Sequence, residues 1–259
     1  MSSKIGCVVA IIFQCALRGL QVHNLVYEDS FVLGEKKTFE IGVTNEQDEP
    51  VEISLSQYDY EPLDKGGGGE YKDVGSVKKS NASWITLPYP RIVLKPKEYK
   101  KILCQLSIPK DASLNSSYWS RIMIEPEDTK MPTEQKEGLT ILTKVRYSVL
   151  VMTHVGNTNA KMKLVGKGVE KVGDQEYLYV ELKNLGNFYL RPKIKLKLFG
   201  PEGKLDNTLT GNVVAFYPGF TNRYRIPIQD VKKKDYKVFF VLERENAEPI
   251  ADTFDISIK

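Results

Sequence analysis

The chain is poor in the residues that build metal centres and disulfide frameworks. It contains three cysteines and two histidines among 259 residues. His23 and His154 are far apart in sequence, and no Cys or His pair stands at the spacing that zinc ligands require. The sequence therefore predicts no metal site and no cofactor.

Recognisable catalytic motifs are missing as well. There is no Gly-x-Ser-x-Gly nucleophile elbow. The glycine run at residues 66–69 is not followed by Lys-Ser/Thr, so it does not match a phosphate-binding loop. The nearby Asp59, Asp64 and Asp73 do not follow the alternating pattern of a calcium loop. These absences favour a protein that is not an enzyme, although catalytic partners that converge only in space leave that alternative open.

Charge is balanced along the chain. The composition is 41% hydrophobic and 27% charged, with a formal net charge of +4. This is the composition of a globular protein, and its charge is too weak to indicate a nucleic-acid partner. Neither composition nor motifs indicate a small-molecule substrate.

The first nineteen residues resemble a secretory signal peptide. Lys4 is followed by an uninterrupted apolar stretch, residues 5–13, which continues to Leu17. One early cation and an apolar core of about 7–15 residues are typical of such signals, and the stretch is shorter than the roughly 20 residues of a membrane-spanning helix. We therefore expect an exported protein, periplasmic or otherwise in the cell envelope, that meets a membrane only through export. A buried first strand of a cytosolic protein is the alternative.

Removal of this leader would also remove Cys7 and Cys15. Cys104 then remains alone, which excludes an intramolecular disulfide. Because Cys104 alternates with apolar neighbours in residues 102–108, we expect a buried structural thiol rather than a nucleophile.

The rest of the chain has the short apolar alternations of an all-β protein. Residues 39–43 and 51–55 alternate with a period of two on either side of a polar turn, residues 45–50, which predicts two adjacent antiparallel strands. Residues 63–80, which contain the glycine run, predict a long flexible loop. Residues 126–138 predict a second exposed loop.

The longest β-rich run covers residues 139–154, and a small polar tetrad at residues 156–159 follows it. This tetrad is the best candidate for a domain boundary, because a new series of strands begins at Lys161. The fold prediction is two tandem immunoglobulin-like β-sandwich domains, residues 20–155 and 160–259, after a signal segment at residues 1–19.

Several phrases resemble exported bacterial proteins with tandem immunoglobulin-like domains that are related to periplasmic pilus-assembly chaperones. In the first half they are residues 45–50 (Asn-Glu-Gln-Asp-Glu-Pro), 80–85, 94–96 and 118–126, and in the second half residues 184–187 (Asn-Leu-Gly-Asn), 190–192 and 217–219. The resemblance covers nearly the whole chain after the leader. These motifs are mostly strand-and-turn patterns, so they are more specific for architecture than for activity.

The resemblance implies a way of binding. Pilus chaperones offer the last strand of their first domain to an incomplete protein subunit, and basic residues of the interdomain cleft anchor the subunit's terminal carboxylate. Residues 139–152 occupy the place of that strand. By this resemblance Val145, Tyr147 and Val149 present the apolar face to subunits of a surface structure, and Lys144 or Arg146 is the anchoring cation. This chain departs from the family in having no arginine in residues 20–33.

Three other interpretations of the sequence stay open at this stage. Lys144 and Arg146 can simply decorate a solvent face. The protein can be a structural or adhesive envelope component whose loops make the contacts. It can also be a carbohydrate-binding module, which would need Trp84 or Trp119 exposed on a flat face.

Overall fold

A computed structural model describes residues 19–66, 68–127, 145–157, 159–244 and 247–259. Their regular structure is β-strand, with two short 3-10 turns at Asp64–Gly66 and Ala82–Trp84. The predicted all-β fold is therefore confirmed. Apart from Gly19, the predicted leader lies outside the described residues. None of the described helical turns has the length and apolar character needed to cross a bilayer.

The described residues of the first half of the chain form ten strands. They are β1 (Leu20–His23), β2 (Val26–Phe31), β3 (Lys36–Asn45), β4 (Val51–Pro62), β5 (Gly69–Lys72), β6 (Ile85–Thr86), β7 (Arg91–Leu94), β8 (Tyr99–Ser107), β9 (Ser116–Pro126) and β10 (Tyr147–Val155). One sheet has the order β1-β3-β8-β6, and the other has the order β2-β10-β9-β4-β5, with β7 also paired to β4. The chain thus changes sheets between β1 and β2, at Asn24, whose φ is 58°.

Alternating burial explains why these strands form two packed layers. In β8 the side chains of Ile102, Cys104 and Leu106 are fully buried, whereas the intervening Leu103 is 56% exposed. The buried set meets Ile53, Ile122 and other apolar side chains of the opposite sheet in one core. Fully burying an aliphatic side chain of this size contributes roughly 1.5–3 kcal/mol.

The predicted hairpin between residues 39–43 and 51–55 is wrong in its pairing. Both segments are strands, but β3 pairs with β1 and β8, whereas β4 pairs with β5, β7 and β9. The turn between them carries the chain from one sheet to the other. A period of two fixes which side chains are buried but does not fix the neighbouring strand, and both segments bury the same core from opposite sides.

In the second half, the part of the chain that the structure describes forms seven strands in two further sheets. They are β11 (Met162–Val172), β12 (Gln175–Asn184), β13 (Lys193–Phe199), β14 (Leu205–Val213), β15 (Thr221–Pro227), β16 (Asp235–Arg244) and β17 (Ala247–Ser257). The sheets have the orders β11-β12-β15 and β14-β13-β16-β17. A second core, which includes Leu196, Tyr224 and Phe240, fills the space between them. The two cores share no residue, which is consistent with two domains, while the boundary predicted at residues 156–159 stays a prediction.

The two halves use the same asparagine device. Asn45 ends β3, and its buried amide donates to the carbonyl oxygens of Glu49 and Lys95 at 2.8 and 3.0 Å. Asn184 ends β12, and its amide donates to the carbonyls of Phe188 and Phe216 at 2.7 and 3.1 Å. Each side-chain oxygen accepts the N–H two residues later in its own turn. A buried amide satisfied in this way fixes the chain where it leaves a sheet.

The loop predicted to be flexible, residues 63–80, instead makes specific contacts in its described part, and most of them are with the first domain. β5 pairs with the end of β4. The buried carboxylate of Asp59 accepts hydrogen bonds from the N–H groups of Gly75 and Val77 at 3.0 and 2.7 Å, and from the Ser80 hydroxyl. Composition favours disorder here, but one buried carboxylate organises the segment through contacts 16 to 21 residues away.

Cys104 is buried as predicted. Burial raises the pKa of its thiol to about 12, so the thiol is neutral and unreactive at physiological pH.

Candidate functional site

The two domains meet through a third apolar cluster. Trp119, Leu150 and Met152 of the first domain pack against Tyr189 and Tyr217 of the second. Trp119 is 1% exposed, and its ring centroid lies 4.8 Å from that of Tyr217. Its indole N–H donates to the carbonyl of Tyr60 at 2.7 Å. The domains are therefore joined by a packed interface and not only by a linker.

A hydrogen-bonded knot around Asn187 reinforces this interface. The Asn187 carbonyl accepts the N–H of Ser117 at 2.8 Å and the hydroxyl of Ser116 at 2.9 Å. Its side-chain amide donates to the carbonyls of Asn115 and Asn157 at 2.9 and 3.0 Å. One residue of the second domain thus binds the start of β9 and the segment after β10.

A hydrogen-bonded group around His154 forms a further interdomain contact. His154 is buried, its Nδ1 lies 2.8 Å from the Ser117 hydroxyl, and its Nε2 lies 3.0 Å from the Glu28 carboxylate. The Ser117 hydroxyl in turn accepts the N–H of Tyr189 at 2.8 Å. Arg191 of the second domain lies 3.4 Å from Glu28.

The side chains that continue outward from this interface form what we call the cleft face. Because neighbours alternate along a strand, Trp119, Arg121, Met123 and Glu125 of β9 share one side of the sheet. The β9–β10 register places Leu150 beside Arg121 and Ser148 beside Met123. The apolar interdomain contact therefore continues into a surface that carries polar and charged side chains.

Arg121 is the charged side chain of the cleft face that lies next to the interdomain cluster. Its guanidinium lies 4.6 Å from the centroid of the Tyr60 ring, and its Nη2 is 3.5 Å from the Tyr217 hydroxyl. Its buried Nε has no hydrogen-bond partner in the described part of the chain. Burial raises the pKa of Tyr60, Tyr189 and Tyr217, so these neighbouring hydroxyls are neutral and do not balance the arginine's charge.

A cavity of about 250 Å³ opens beside Arg121. Its walls come from both domains: Tyr60, Pro62 and Leu63 on one side, and Tyr217 and Phe220 on the other. A guanidinium that has neither an acidic partner nor an acceptor for its Nε among the described residues is suited to bind an anion in such a cavity, since ionised acceptors make the stronger hydrogen bonds. The volume fits a carboxylate with one or two small side chains and not a whole strand.

The strand predicted to bind partners, residues 139–152, is described only in part, and its neighbours differ along its length. The structure describes it as β10 from Tyr147, and residues 139–144, including Lys144, lie outside the described residues. β2 pairs with β10 only over residues 150–155. Among the described strands, none pairs with residues 147–149 on that side, which leaves a short open edge. The Leu150 N–H points to the β2 side, so by alternation the Ser148 backbone groups face the open edge.

The predicted site residues occupy distinct environments. Val145 is 46% exposed, whereas Val149 is fully buried in the core of the first domain. The Tyr147 hydroxyl donates to the Leu20 carbonyl. Arg146 forms an ion pair with Glu125, with Nε 2.8 Å from the carboxylate. A partner at this edge would therefore meet the side chain of Val145 and the backbone of Ser148, whereas the buried Val149 side chain would not be available to it.

Arg121 was not predicted from the sequence. A signal was present, because a cation stands between Trp119 and Met123 on one face of β9. The tryptophans offer no sugar-binding platform: Trp119 is buried, and Trp84 packs against Tyr118 with ring centroids 4.8 Å apart. In the described residues no group of acidic, His or Cys side chains could hold a metal ion.

No protein-family model matches the chain, and no curated protein matches its sequence. Solved structures do match. A chaperone–tip adhesin complex vital for activation of CFA/I fimbriae biogenesis has a TM-score of 0.53 at 11% identity, covering 91% of this chain and 98% of that chain. The class 5 fimbriae chaperone CfaA has a TM-score of 0.53 at 12% identity, with the same coverages of 91% and 98%.

A third match is the CsuC–CsuE chaperone–tip adhesion subunit pre-assembly complex of Acinetobacter baumannii, with a TM-score of 0.47, 12% identity and coverages of 92% and 97%. At such identities the likeness to the two fimbrial structures establishes fold alone. The chain has the two-domain immunoglobulin-like architecture of pilus-assembly chaperones, and the resemblance inferred from the sequence is confirmed.

Proposed function

We propose that this protein is an exported, non-enzymatic chaperone-like factor that holds protein subunits of a surface or envelope structure by β-strand addition. The observation that carries the proposal is that no described strand pairs with the β2 side of residues 147–149 in β10. This edge lies on the same sheet as Arg121, whose Nε has no hydrogen-bond partner among the described residues. The shared fold with a fimbrial chaperone supports it.

Strand addition uses the edge groups that the fold leaves without a partner strand. A segment of the partner that pairs with residues 145–149 would continue the line of β2 along the sheet edge. It would end at Leu25, because the Leu25 carbonyl already accepts the Leu150 N–H at 2.9 Å. Backbone pairing supplies affinity, and Val145 beside the edge supplies an apolar contact. The buried Val149 keeps the edge rigid.

Arg121 is the anchor that we favour for a carboxylate of the partner. Arg146, the anchor predicted from the sequence, is engaged by Glu125, so using it would require breaking that ion pair. Arg121 has no acidic partner among the described residues. Because Arg146 contacts Glu125 on the cleft face, an anchoring role for Lys144 or Arg146 remains part of the proposal.

Export follows from the leader predicted at residues 1–19 and places the protein in the periplasm or elsewhere in the cell envelope. The alternative of an adhesive protein that uses the loop at residues 63–80 is less well supported. That loop is engaged by Asp59 and by the second domain, where Asp64 accepts the N–H of Thr221 at 2.7 Å.

Site-specific photo-crosslinking in producing cells tests the proposal. A crosslinkable residue at Val145 is expected to capture a discrete protein, whereas the same residue at Val213, which is 59% exposed on the second domain, is not. Ser148→Pro removes an N–H from the open edge, so it should abolish capture, and Ser148→Ala should not. Equal capture from both positions, or capture that survives Ser148→Pro in a folded protein, would refute strand addition at this edge.

A further inference from the structure

A short segment of the first domain forms part of the wall of the Arg121 cavity. We call residues 63–66, which follow β4, the strap. Leu63 and Gly66 line the cavity opposite Tyr217 and Phe220. The strap reaches across to the second domain, so it forms part of the wall of the cavity that Arg121 also lines.

Few contacts hold the strap down. The Asp64 carboxylate accepts the N–H of Thr221 at 2.7 Å. Lys65 lies 3.9 Å from Glu181, with its side chain 64% exposed, a geometry in which an ion pair contributes little. Gly66 abuts Asn222 so closely that a Cβ would stand 2.4 Å from the Asn222 Oδ1.

The strap's backbone is also unusual. Lys65 has φ 64° and Gly66 has φ 82°, both in the left-handed region. A non-glycine residue there is unfavourable, so the docked conformation of Lys65 depends on the contacts that flank it.

Release of the strap would leave the Asp64 carboxylate and the N–H of the half-buried Thr221 to water. Asp64 is exposed, so water replaces Thr221 as its donor. Glu181 keeps Arg223, whose Nη2 lies 2.6 Å from its carboxylate, and loses only the distant Lys65. Segments with few buried contacts and exposed hydrogen bonds open at low free-energy cost.

We infer that the strap is a gate: undocking of Asp64 from Thr221 opens the cavity and admits an anionic group of the partner to Arg121. The identity of the ligand rests on the proposed function, but the gate itself is a property of the free protein. The docked strap thus keeps Arg121 covered until a partner, or spontaneous opening, displaces it.

Tryptophan quenching measures the gate without any partner. The chain has two tryptophans, so Trp84→Phe leaves Trp119 as the single probe. Trp119 lies 4.8 Å from Tyr217 and 6.5 Å from Phe220, both in the cavity wall. In this full-length background Asp64→Ala should raise the acrylamide quenching constant roughly twofold or more, because local opening becomes more frequent.

Two further variants make the result decisive. Gly66→Ala, which clashes with Asn222, should raise quenching in the same way, whereas Asp73→Ala, an exposed carboxylate of the same loop, should leave it unchanged. Quenching that stays at the parent value in both strap variants, with unchanged urea midpoints, would overturn the gate. A separate experiment tests the proposed function. Normal capture of the partner by Arg121→Gln would count against Arg121 as the anchor and not against the gate.

Discussion

The backbone carbonyl of Asn187 accepts the N–H of Ser117 across the domain boundary at 2.8 Å. Ser117 lies near the start of β9, the strand that also carries Trp119 and Arg121. The second domain is therefore bonded to the end of the strand from which the cleft face begins. The same serine receives the N–H of Tyr189 on its hydroxyl and lies beside His154. Domain orientation and the position of Arg121 are therefore set by one hydrogen-bonded region.

Replacing Asn187 should loosen the domain interface. Asn187→Ala deletes the hydrogen bonds that the side-chain amide donates to Asn115 and Asn157 and the one that its Oδ1 accepts from the Asn159 N–H, and the expected cost is roughly 1–3 kcal/mol. We expect urea unfolding, followed by Trp119 fluorescence, to begin earlier than in the parent protein. Asn212→Ala, at an exposed position, is the control. An unchanged transition would show that the backbone contacts of Asn187 suffice.

The two turn asparagines should be separately important for their own domains. Asn45→Ala and Asn184→Ala each remove a fully buried amide that serves several carbonyls, and each should lower the free energy of unfolding by roughly 1–3 kcal/mol. Gln47→Ala serves as the control for the first, since its backbone N–H remains. Equal stability of Asn45→Ala and Gln47→Ala would contradict the role that we assign to the amide.

Cys104 should make stability depend on alkaline pH. Burial raises the thiol pKa in the folded state to about 12, above its value in the unfolded chain. A group with a raised folded pKa contributes stability below the unfolded pKa and loses it as pH rises toward the folded pKa. The unfolding free energy should therefore fall as pH rises from about 9 toward 12.

Urea titrations of the parent and of Cys104→Val measure this contribution, because buried tyrosines affect both proteins equally. Thiol labelling should be negligible in the folded state and rapid in urea, in a background with Cys7 and Cys15 replaced by serine. Rapid labelling of the folded protein would contradict the burial of Cys104.

Arg121 should matter for binding and not for folding. Arg121→Gln removes the charge but retains polar contacts with Tyr217, so we expect capture of the partner to fall about tenfold or more at unchanged circular dichroism. Arg91→Gln removes an exposed arginine that lies 3.7 Å from Glu127, and it should capture normally. If instead Arg146→Gln alone impairs capture, the anchor predicted from the sequence is the correct one.

The sequence by itself determined the strand content, the two-domain immunoglobulin-like class and the burial of Cys104. Each of these follows from a local cause, since alternation of apolar residues, or a run of turn residues, acts within a few positions of the chain. Asn45 and Asn184 also stand out in the sequence, where each ends a strand and begins a polar turn.

Only the tertiary structure decided which strands pair and where the charge acts. β3 and β4 are joined by a short turn yet belong to different sheets, because strand pairing depends on partners such as β8 and β9 that are distant in sequence. The loop at residues 63–80 has a disordered composition but is ordered by the buried Asp59. Arg121 becomes a candidate anchor only when folding places Tyr217, 96 residues away, against it.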